Sequence, residues 1–182
     1  MKIKIQNNVH RLINHSSIVL ITSSFKNLEN IMTAAWYQII DIDPVIISIS
    51  IGIKKFTHEL IEKSNKFGIN LPTNDLIDQV WKCGKKSGRE VDKFKISNFS
   101  KFSGSALGVP LIEECIANLE CEVVFKKTFN LHTVFVGQVH GAYVEEGTFK
   151  DTWLVDEKNL VFPFHLGGNN IIVNTPKKFE VE

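Results

Sequence analysis

The segment VWKCGKKSGREVDKF, Val80–Phe94, brings a thiol, two glycines, a serine and several basic side chains together within fifteen residues. Ser87 and Glu90 have the spacing of a capping box, which predicts a helix that begins at Gly88 and runs through REVDKF. Such a helix presents backbone N–H groups and the positive end of its dipole to an anion, and Lys93 adds a point charge. The segment is either a phosphate cradle or a plain capped surface helix, and its residues alone favour the plain helix.

The cysteine of this segment, Cys83, is a weak candidate for redox chemistry. It lies near the predicted C-terminal end of a helix, where the dipole disfavours a thiolate, whereas Lys82 and Lys85 act in the opposite sense. The other cysteines, Cys115 and Cys121, form no CxxC pair with it. A buried or half-buried inert thiol is the preferred interpretation, and neither a disulfide framework nor a metal site is expected.

Composition and charge limit the classes of function. The chain has 182 residues without a visible linker or repeat, so a single domain over residues 1–182 is expected. The 21 basic and 20 acidic residues leave a net charge of +1, which gives no overall field to attract nucleic acid or an anionic membrane. The longest apolar stretch is about half a membrane span, and the start of the chain lacks a signal-peptide pattern. We therefore expect a cytoplasmic protein.

Hydrophobic periodicity predicts mostly strands. The segment VIISISIG alternates isoleucine with serine, and the segment NIMTAAWYQII is predicted as one strand with a small-residue middle. Two long alternating segments form an antiparallel hairpin, with Asn118, Glu120 and Glu122 on the polar face of the first. The predicted strands are Ser17–Ser24, Asn30–Ile40, Val45–Gly52, Phe67–Pro72, Glu114–Phe125, His132–Val144 and Asn159–Leu166.

Short helices interrupt the strands. The segment THELIEKSNK is predicted to begin at the N-cap Thr57, and the segment NDLIDQVWKCG is predicted to run from Asn74 to a stop at Gly84. Many strands and few short helices predict a mainly β fold. A closed antiparallel barrel with helical insertions is expected, because closure removes exposed strand edges.

Several fragments occur along the chain in one order: NIMTAAW, SIS before KFTHELI, FGINLP, CGKKSGREVDKF, VPLIEECIANLECEV and HTVFVGQV. In this order and spacing they resemble the flavin reductase family, the FMN-binding split-barrel group that includes the flavoredoxins. The resemblance covers about Ile18 to Val139, with a weaker similarity at FHLGG. It implies a closed antiparallel split β-barrel and a homodimer with FMN at the subunit interface.

The resemblance also assigns cofactor contacts. The alanines of NIMTAAW would let the flavin ring approach the backbone, whereas without the family they would be read as residues of a tightly packed core strand. Gly52 and Ile53 replace a base and a proline of the family pattern, whereas Lys55 falls where a second base of that pattern usually sits. The implied contacts are Asn30, Met32, Thr33, Ala34, Ala35, Trp36, Ser50, Lys55, Thr57, Asn70, Leu71, Pro72, Cys83, Ser87, Gly88 and Lys93.

Two histidines are further candidates. His132 falls where relatives carry a histidine, but Asn130 and Leu131 break the family's glycine–aspartate–histidine pattern. Two positions therefore stay open for His132. It faces the flavin or the nicotinamide, or it lies on the surface at the end of a strand. His165 precedes the LGG sequence, whose usual following aromatic residue is absent here.

The resemblance leaves three functions open. The first is an FMN-dependent oxidoreductase that uses NADH or NADPH, and the absence of a GxGxxG fingerprint agrees with a nicotinamide that docks transiently. The second is a flavoredoxin-type electron-transfer protein that serves a redox partner protein and has no NAD(P)H turnover of its own. The third is a barrel dimer that has lost its cofactor and acts as a binding module.

Overall fold

Strands account for most of the regular structure in this computed structural model, which describes residues 9–13, 16–175 and 177. The signal-peptide expectation falls mainly on residues outside this part of the chain. The strands are β1 (Val19–Phe25), β2 (Leu28–Ala34), β3 (Tyr37–Ile42), β4 (Val45–Gly52), β5 (Lys66–Leu71), β6 (Lys101–Ser103), β7 (Pro110–Ile112), β8 (Ala117–Thr128), β9 (His132–Val144), β10 (Pro163–Gly167) and β11 (Asn170–Val173). The helices are α1 (Phe56–Ser64), α2 (Ile77–Lys85), α3 (Lys93–Ser97) and α4 (Val155–Lys158), with 3-10 turns at Val9–Leu12 and Asn74–Leu76.

Seven strands form one antiparallel sheet in the order β2-β1-β5-β8-β9-β4-β3. The pairs β6–β7 and β10–β11 form two small separate sheets. This arrangement confirms the predicted mainly β fold with short helices. Among the described residues no ladder joins the edge strands β2 and β3, so the predicted closure of the barrel is not confirmed.

The main core lies on the face of the sheet that carries the alternating isoleucines of β4. Ile47, Ile49 and Ile51 are buried there against Phe67 and Phe135. Each fully buried side chain of this size contributes about 1.5–3 kcal/mol, which fixes the register of β4. The alternation predicted for this strand is confirmed, except that Val45 at its start is exposed.

The predicted strand over Asn30–Ile40 is wrong, because the chain breaks at Ala35–Trp36 into β2 and β3. These two strands lie at opposite edges of the seven-stranded sheet, so the break carries the chain from one edge to the other. The connection is tied to β4 by a hydrogen bond from the Ser50 N–H to the Trp36 carbonyl at 2.9 Å.

Both predicted helix boundaries also need correction. Thr57 is not the N-cap of α1: that position is Lys55, and Thr57 is buried inside the first turn. Gly84 does not stop α2, which continues to Lys85. At Gly84 the helix lies close to β2, because a Cβ added there would be 3.4 Å from the Thr33 side chain.

The capping box at Ser87 is wrong as well. The helix α3 begins at Lys93, and the side chain of Asp92 caps it by accepting a hydrogen bond from the Lys95 N–H at 3.2 Å. Ser87 instead starts a turn in which its carbonyl accepts from the Glu90 N–H at 3.1 Å. Asp92 is the N-cap in place of Ser87 because it directly precedes the residues that α3 buries, among them Phe94.

The long hairpin is confirmed as β8 and β9, but its predicted faces hold only in part. Two irregularities interrupt the register of the β8–β9 pair: His140 of β9 is the extra residue in the first, and Val124 of β8 is the extra residue in the second. A bulge shifts every later side chain to the other face, and Phe125 is accordingly exposed. Asn118 and Glu120, predicted on a polar face, are buried.

Within the described residues, no helix is both long enough and apolar enough to cross a membrane. Cys83, Cys115 and Cys121 are buried free thiols.

Candidate functional site

A cleft of about 710 Å³ opens beside β2 and β4 and is walled by α1, α2, the turn after α2 and the β10–β11 turn. Its volume lies within the range of about 300–1,000 Å³ that is usual for small-molecule sites. The cleft brings together most of the residues that the resemblance assigns to the cofactor. They are Asn30, Met32, Thr33, Ala34, Ala35, Trp36, Ser50, Lys55, Thr57, Cys83, Ser87, Gly88 and Lys93, together with His132.

The cleft does not include Asn70, Leu71 or Pro72, which the resemblance also places beside the flavin. Asn70 is fully buried, and its amide nitrogen donates to the Leu20 carbonyl at 2.9 Å. Its amide oxygen accepts from the Ile112 N–H at 2.9 Å. The side chain thus ties together β1, β5 and β7, and its polar atoms are engaged in the fold rather than turned to the cleft.

Gly88 and Asn30 meet in the wall of the cleft. A Cβ added at Gly88 would lie 2.0 Å from the Asn30 amide oxygen, so only glycine fits there. The Asn30 amide nitrogen donates to the Thr57 hydroxyl at 2.7 Å, but its buried amide oxygen has no hydrogen-bond partner. A buried acceptor without a donor is unfavourable, and a ligand N–H or O–H in the cleft would satisfy it.

The N-terminal turn of α1 also lines the cleft, through Lys55, Phe56 and Thr57. No side chain caps this turn, so its first N–H groups lack the partner that a capping residue would supply. An uncapped helix N-terminus next to lysines favours a phosphate. The predicted cradle at Ser87–Gly88 has no helix behind it, since α3 begins only at Lys93, and α1 provides the helix instead.

The lining of the cleft is strongly basic. Seven lysines and arginines line it, and among its described lining residues there is no aspartate or glutamate. Since the net charge of the whole chain is only +1, positive charge is concentrated at this site. Of the seven, the resemblance assigned only two, and the pairs KK at 54–55 and 85–86 were the visible signal for others. The seven are Arg11, Lys54, Lys55, Lys85, Lys86, Arg89 and Lys93.

Lys93 and Cys83 form a buried polar part of the wall. The buried Lys93 ammonium donates to the Cys83 carbonyl at 2.7 Å. Burial lowers the pKa of Lys93, and the nearby Lys55 acts in the same direction while Cys83 opposes it. Burial raises the pKa of the Cys83 thiol, which lies 3.1 Å from the Ser97 hydroxyl. The prediction of a buried thiol at Cys83 is confirmed, and Lys93 is buried at the cleft as well.

Comparison with known proteins decides the family. The family model described as the flavin reductase like domain matches residues 11–162. The chain belongs to this family. An uncharacterised protein of Archaeoglobus fulgidus is 35% identical over 153 residues, which are 83% of this chain and 84% of that protein. The uncharacterised protein YddH of Escherichia coli is 32% identical over 169 residues, covering 90% and 89% of the two chains.

Solved structures agree with this flavin reductase-like assignment. A flavoredoxin from Methanosarcina acetivorans superposes with a TM-score of 0.85 at 27% identity, covering all of this chain and 95% of that one. An FMN-binding protein from Thermus thermophilus with bound p-hydroxybenzaldehyde superposes with a TM-score of 0.86 at 26% identity, covering 100% and 98% of the two chains. The mainly β arrangement with short helices is therefore that of the split-barrel relatives.

In this flavin reductase-like chain, Gly52, which replaces a base of the family pattern, meets the candidate His132 at the cleft. Gly52 of β4 pairs in register with His132 of β9, and both line the cleft. The His132 ring lies 5.1 Å from the Trp36 ring, centroid to centroid. His132 lies at the start of β9 and forms part of the lining of the cleft. His165 lines the cleft too, with its Nε2 atom 3.2 Å from the Gly168 carbonyl.

Proposed function

We propose that this chain is an FMN-binding oxidoreductase of flavin reductase type that uses NADH or NADPH. The observation that carries the proposal is the joint presence, in one cleft, of an uncapped helix N-terminus, an excess of cations and a buried unpaired acceptor. FMN, when bound, supplies the redox chemistry by accepting a hydride from a reduced nicotinamide and passing electrons on. The similarity of this chain to a flavoredoxin and to an FMN-binding protein supports the same proposal.

The residues present fit this cofactor. A phosphate would be held by Lys55 and by the first N–H groups of α1, where Phe56 and Thr57 line the cleft. The Asn30 amide oxygen would accept from a ligand donor, and its position is set by Thr57. Ala34 and Ala35 carry small side chains that leave the backbone open to a flat ring.

The chain itself binds, orients and shields, and it needs no general acid of its own. Trp36 and His132 lie against each other in the lining and form an aromatic part of the wall. Lys93 is anchored beside the ligand position by its hydrogen bond to the Cys83 carbonyl. Holding the reacting partners in a fixed orientation is the main contribution that such a site makes to the rate.

The similarity to a flavoredoxin favours a second candidate, an FMN-carrying protein that exchanges electrons only with a redox partner protein. The test of both starts with the visible spectrum of the purified protein and an FMN titration at micromolar concentration. An anaerobic titration with NADH and NADPH follows. We expect repeated turnover with a nicotinamide. FMN binding without turnover would favour the second candidate. A protein that takes up no FMN would overturn both candidates and leave the binding module.

The proposal includes a homodimer with FMN at the subunit interface, as the resemblance implies. The edge strand β3 carries Ile39, Ile40 and Ile42, and the last of these is 81% exposed. An exposed apolar edge strand of this kind is normally covered by another chain. A second copy is the occupant that the proposed site requires.

We expect Ile42→Lys to convert a dimer into a monomer and to weaken FMN binding at the same time, because a charge would be buried in the interface. Light scattering and an FMN titration measure the two effects. Ile172→Lys is the matched control, since Ile172 is an exposed isoleucine of β11. A wild-type protein that is monomeric while it holds FMN would contradict the dimer.

A further inference from the structure

A second group of cations lies in the cleft on elements other than α1. Arg11 packs against the β10–β11 turn: a Cβ added at Gly167 would lie 3.0 Å from the Arg11 Cδ atom. Gly167 has a φ of +101°, so glycine is favoured there on two grounds. Lys85, in the last turn of α2, donates to the Asn169 side chain at 3.2 Å. The glycine turn therefore brings Arg11 and Lys85 to the same short stretch of chain, residues 167–169.

Neither of these two cations has a carboxylate partner in the described part of the chain. Arg89, by contrast, is held by Glu59 at 2.8 Å. Like charges brought to one turn repel each other, and they are tolerated where an anion lies between them. The Lys85 ammonium also lies 4.9 Å from the centre of the Trp81 ring, which lines the cleft as well. The subsite thus combines an aromatic wall with two cations that have no carboxylate partner among the described residues.

The phosphate of FMN does not account for this subsite. One phosphate monoester carries about two negative charges at neutral pH, and the turn at the start of α1 with its lysines is sufficient for it. Arg11 and Lys85 then remain for a further dianionic group on a second ligand. A guanidinium grips a phosphate through two parallel hydrogen bonds, and a lysine adds a point charge. Both reduced nicotinamides carry a diphosphate, and NADPH alone adds a terminal phosphate monoester, the group whose open oxygens a guanidinium can grip through two hydrogen bonds.

We propose that Arg11 and Lys85 form a subsite for the 2′-phosphate of NADPH, with Trp81 as the wall beside the adenosine. This inference rests on the proposed function and deepens it, because it selects NADPH over NADH as the nicotinamide substrate. The Asn169 amide and the Gly167–Gly168 turn position the two cations.

The experiment measures binding of 2′,5′-ADP and of 5′-AMP to the FMN-loaded protein by calorimetry. We expect 2′,5′-ADP to bind at least about tenfold more tightly than 5′-AMP. Arg11→Gln and Lys85→Gln should each weaken 2′,5′-ADP about tenfold and 5′-AMP much less. A glutamine at position 85 can still donate to Asn169, so the turn is preserved in that variant. Lys82→Gln is the matched control, since Lys82 lies on the same helix, is exposed and does not line the cleft.

Each outcome has a defined meaning. Equal binding of the two probes, or equal losses for both in the variants, would overturn the inference and leave the proposed function standing. A loss of FMN affinity in Arg11→Gln as large as the loss for 2′,5′-ADP would assign these cations to FMN and also overturn it. A protein that takes up no FMN overturns the proposed function and this inference with it. If the protein binds an acidic protein partner with an affinity that falls steeply with salt, and binds the two probes equally, the cations would be assigned to protein docking and the inference would be overturned.

Discussion

Alanine at position 88 is expected to weaken FMN binding by about 10- to 100-fold, since overpacking a tight site costs about 1–3 kcal/mol. The new methyl group would lie 2.0 Å from the Asn30 amide oxygen and 3.0 Å from the Phe56 ring. Asn30 cannot swing aside freely, because it is buried and its amide nitrogen is held by Thr57. Either the turn that carries Gly88 or Asn30 must move, and both line the cleft.

The measurement is an FMN titration of wild type and Gly88→Ala, with the thermal midpoint recorded for each. Gly84→Ala is the control, because a Cβ there would meet Thr33 at an ordinary 3.4 Å. Alanine inside a helix is favoured over glycine by about 1 kcal/mol, so the Gly84 variant should be at least as stable as wild type. A Gly88→Ala protein that binds FMN with wild-type affinity would show that the wall of the cleft near Asn30 is not part of the site.

Local sequence patterns were sufficient to predict those strands and helices whose formation depends on the packing of nearby residues. The alternation of isoleucine and serine predicts β4 because Ile47, Ile49 and Ile51 of that strand pack into the same core. The capping box at Ser87 failed because a second capping residue, Asp92, stands closer to the residues that α3 buries. Two short-range signals competed there, and burial of Phe94 favoured the second.

The site itself depends on contacts that no local pattern contains. The cations of the cleft come from positions as far apart as Arg11 and Lys93, and their convergence follows only from the topology of the sheet. The order of fragments in the family pattern predicted most of the lining residues, but it also assigned Asn70 to the site, and Asn70 does not line the cleft. That asparagine binds three strands together instead, which its residue type alone does not reveal.

The polar face predicted for β8 is the other instructive failure. Glu120 alternates with apolar residues, which predicts a solvated side chain, yet it is fully buried. The loop over residues 104–109 covers it so closely that a Cβ at Gly104 would lie 2.0 Å from the Glu120 carboxyl carbon. A buried carboxylate is stable only when hydrogen bonds compensate its lost hydration.

Those hydrogen bonds make Glu120 the residue whose replacement should destabilise the fold most among the polar positions discussed. Its Oε1 atom accepts from the Ala106 N–H at 2.9 Å and from the Tyr143 hydroxyl at 2.8 Å. Its Oε2 atom accepts from the Leu107 N–H at 2.7 Å. Glu120→Gln replaces one acceptor by an NH₂ group that faces these donors, so the free energy of unfolding should fall by about 3 kcal/mol at neutral pH.

Urea denaturation followed by tryptophan fluorescence measures this loss. Glu122→Gln is the matched control, because Glu122 lies two residues further along β8 and is exposed. Its replacement should change stability by no more than about 0.5 kcal/mol. A loss in Glu120→Gln as small as that in the control would contradict the anchoring of the 104–109 loop by this carboxylate.

The dependence on pH separates the charge of Glu120 from its shape. Burial raises the pKa of this carboxyl, but the hydrogen bonds from Ala106, Tyr143, Leu107 and Val109 outweigh burial and hold the pKa below its usual value of 4.5. A carboxylate with a lowered pKa in the folded state stabilises the fold fully above pH 4.5, and this contribution is lost as the pH falls through the lowered pKa. The difference in stability between wild type and Glu120→Gln should therefore be constant near neutral pH and shrink under acid conditions. A difference that stays constant down to the acid limit of folding would mean that the loop recognises the shape of the side chain and not its charge.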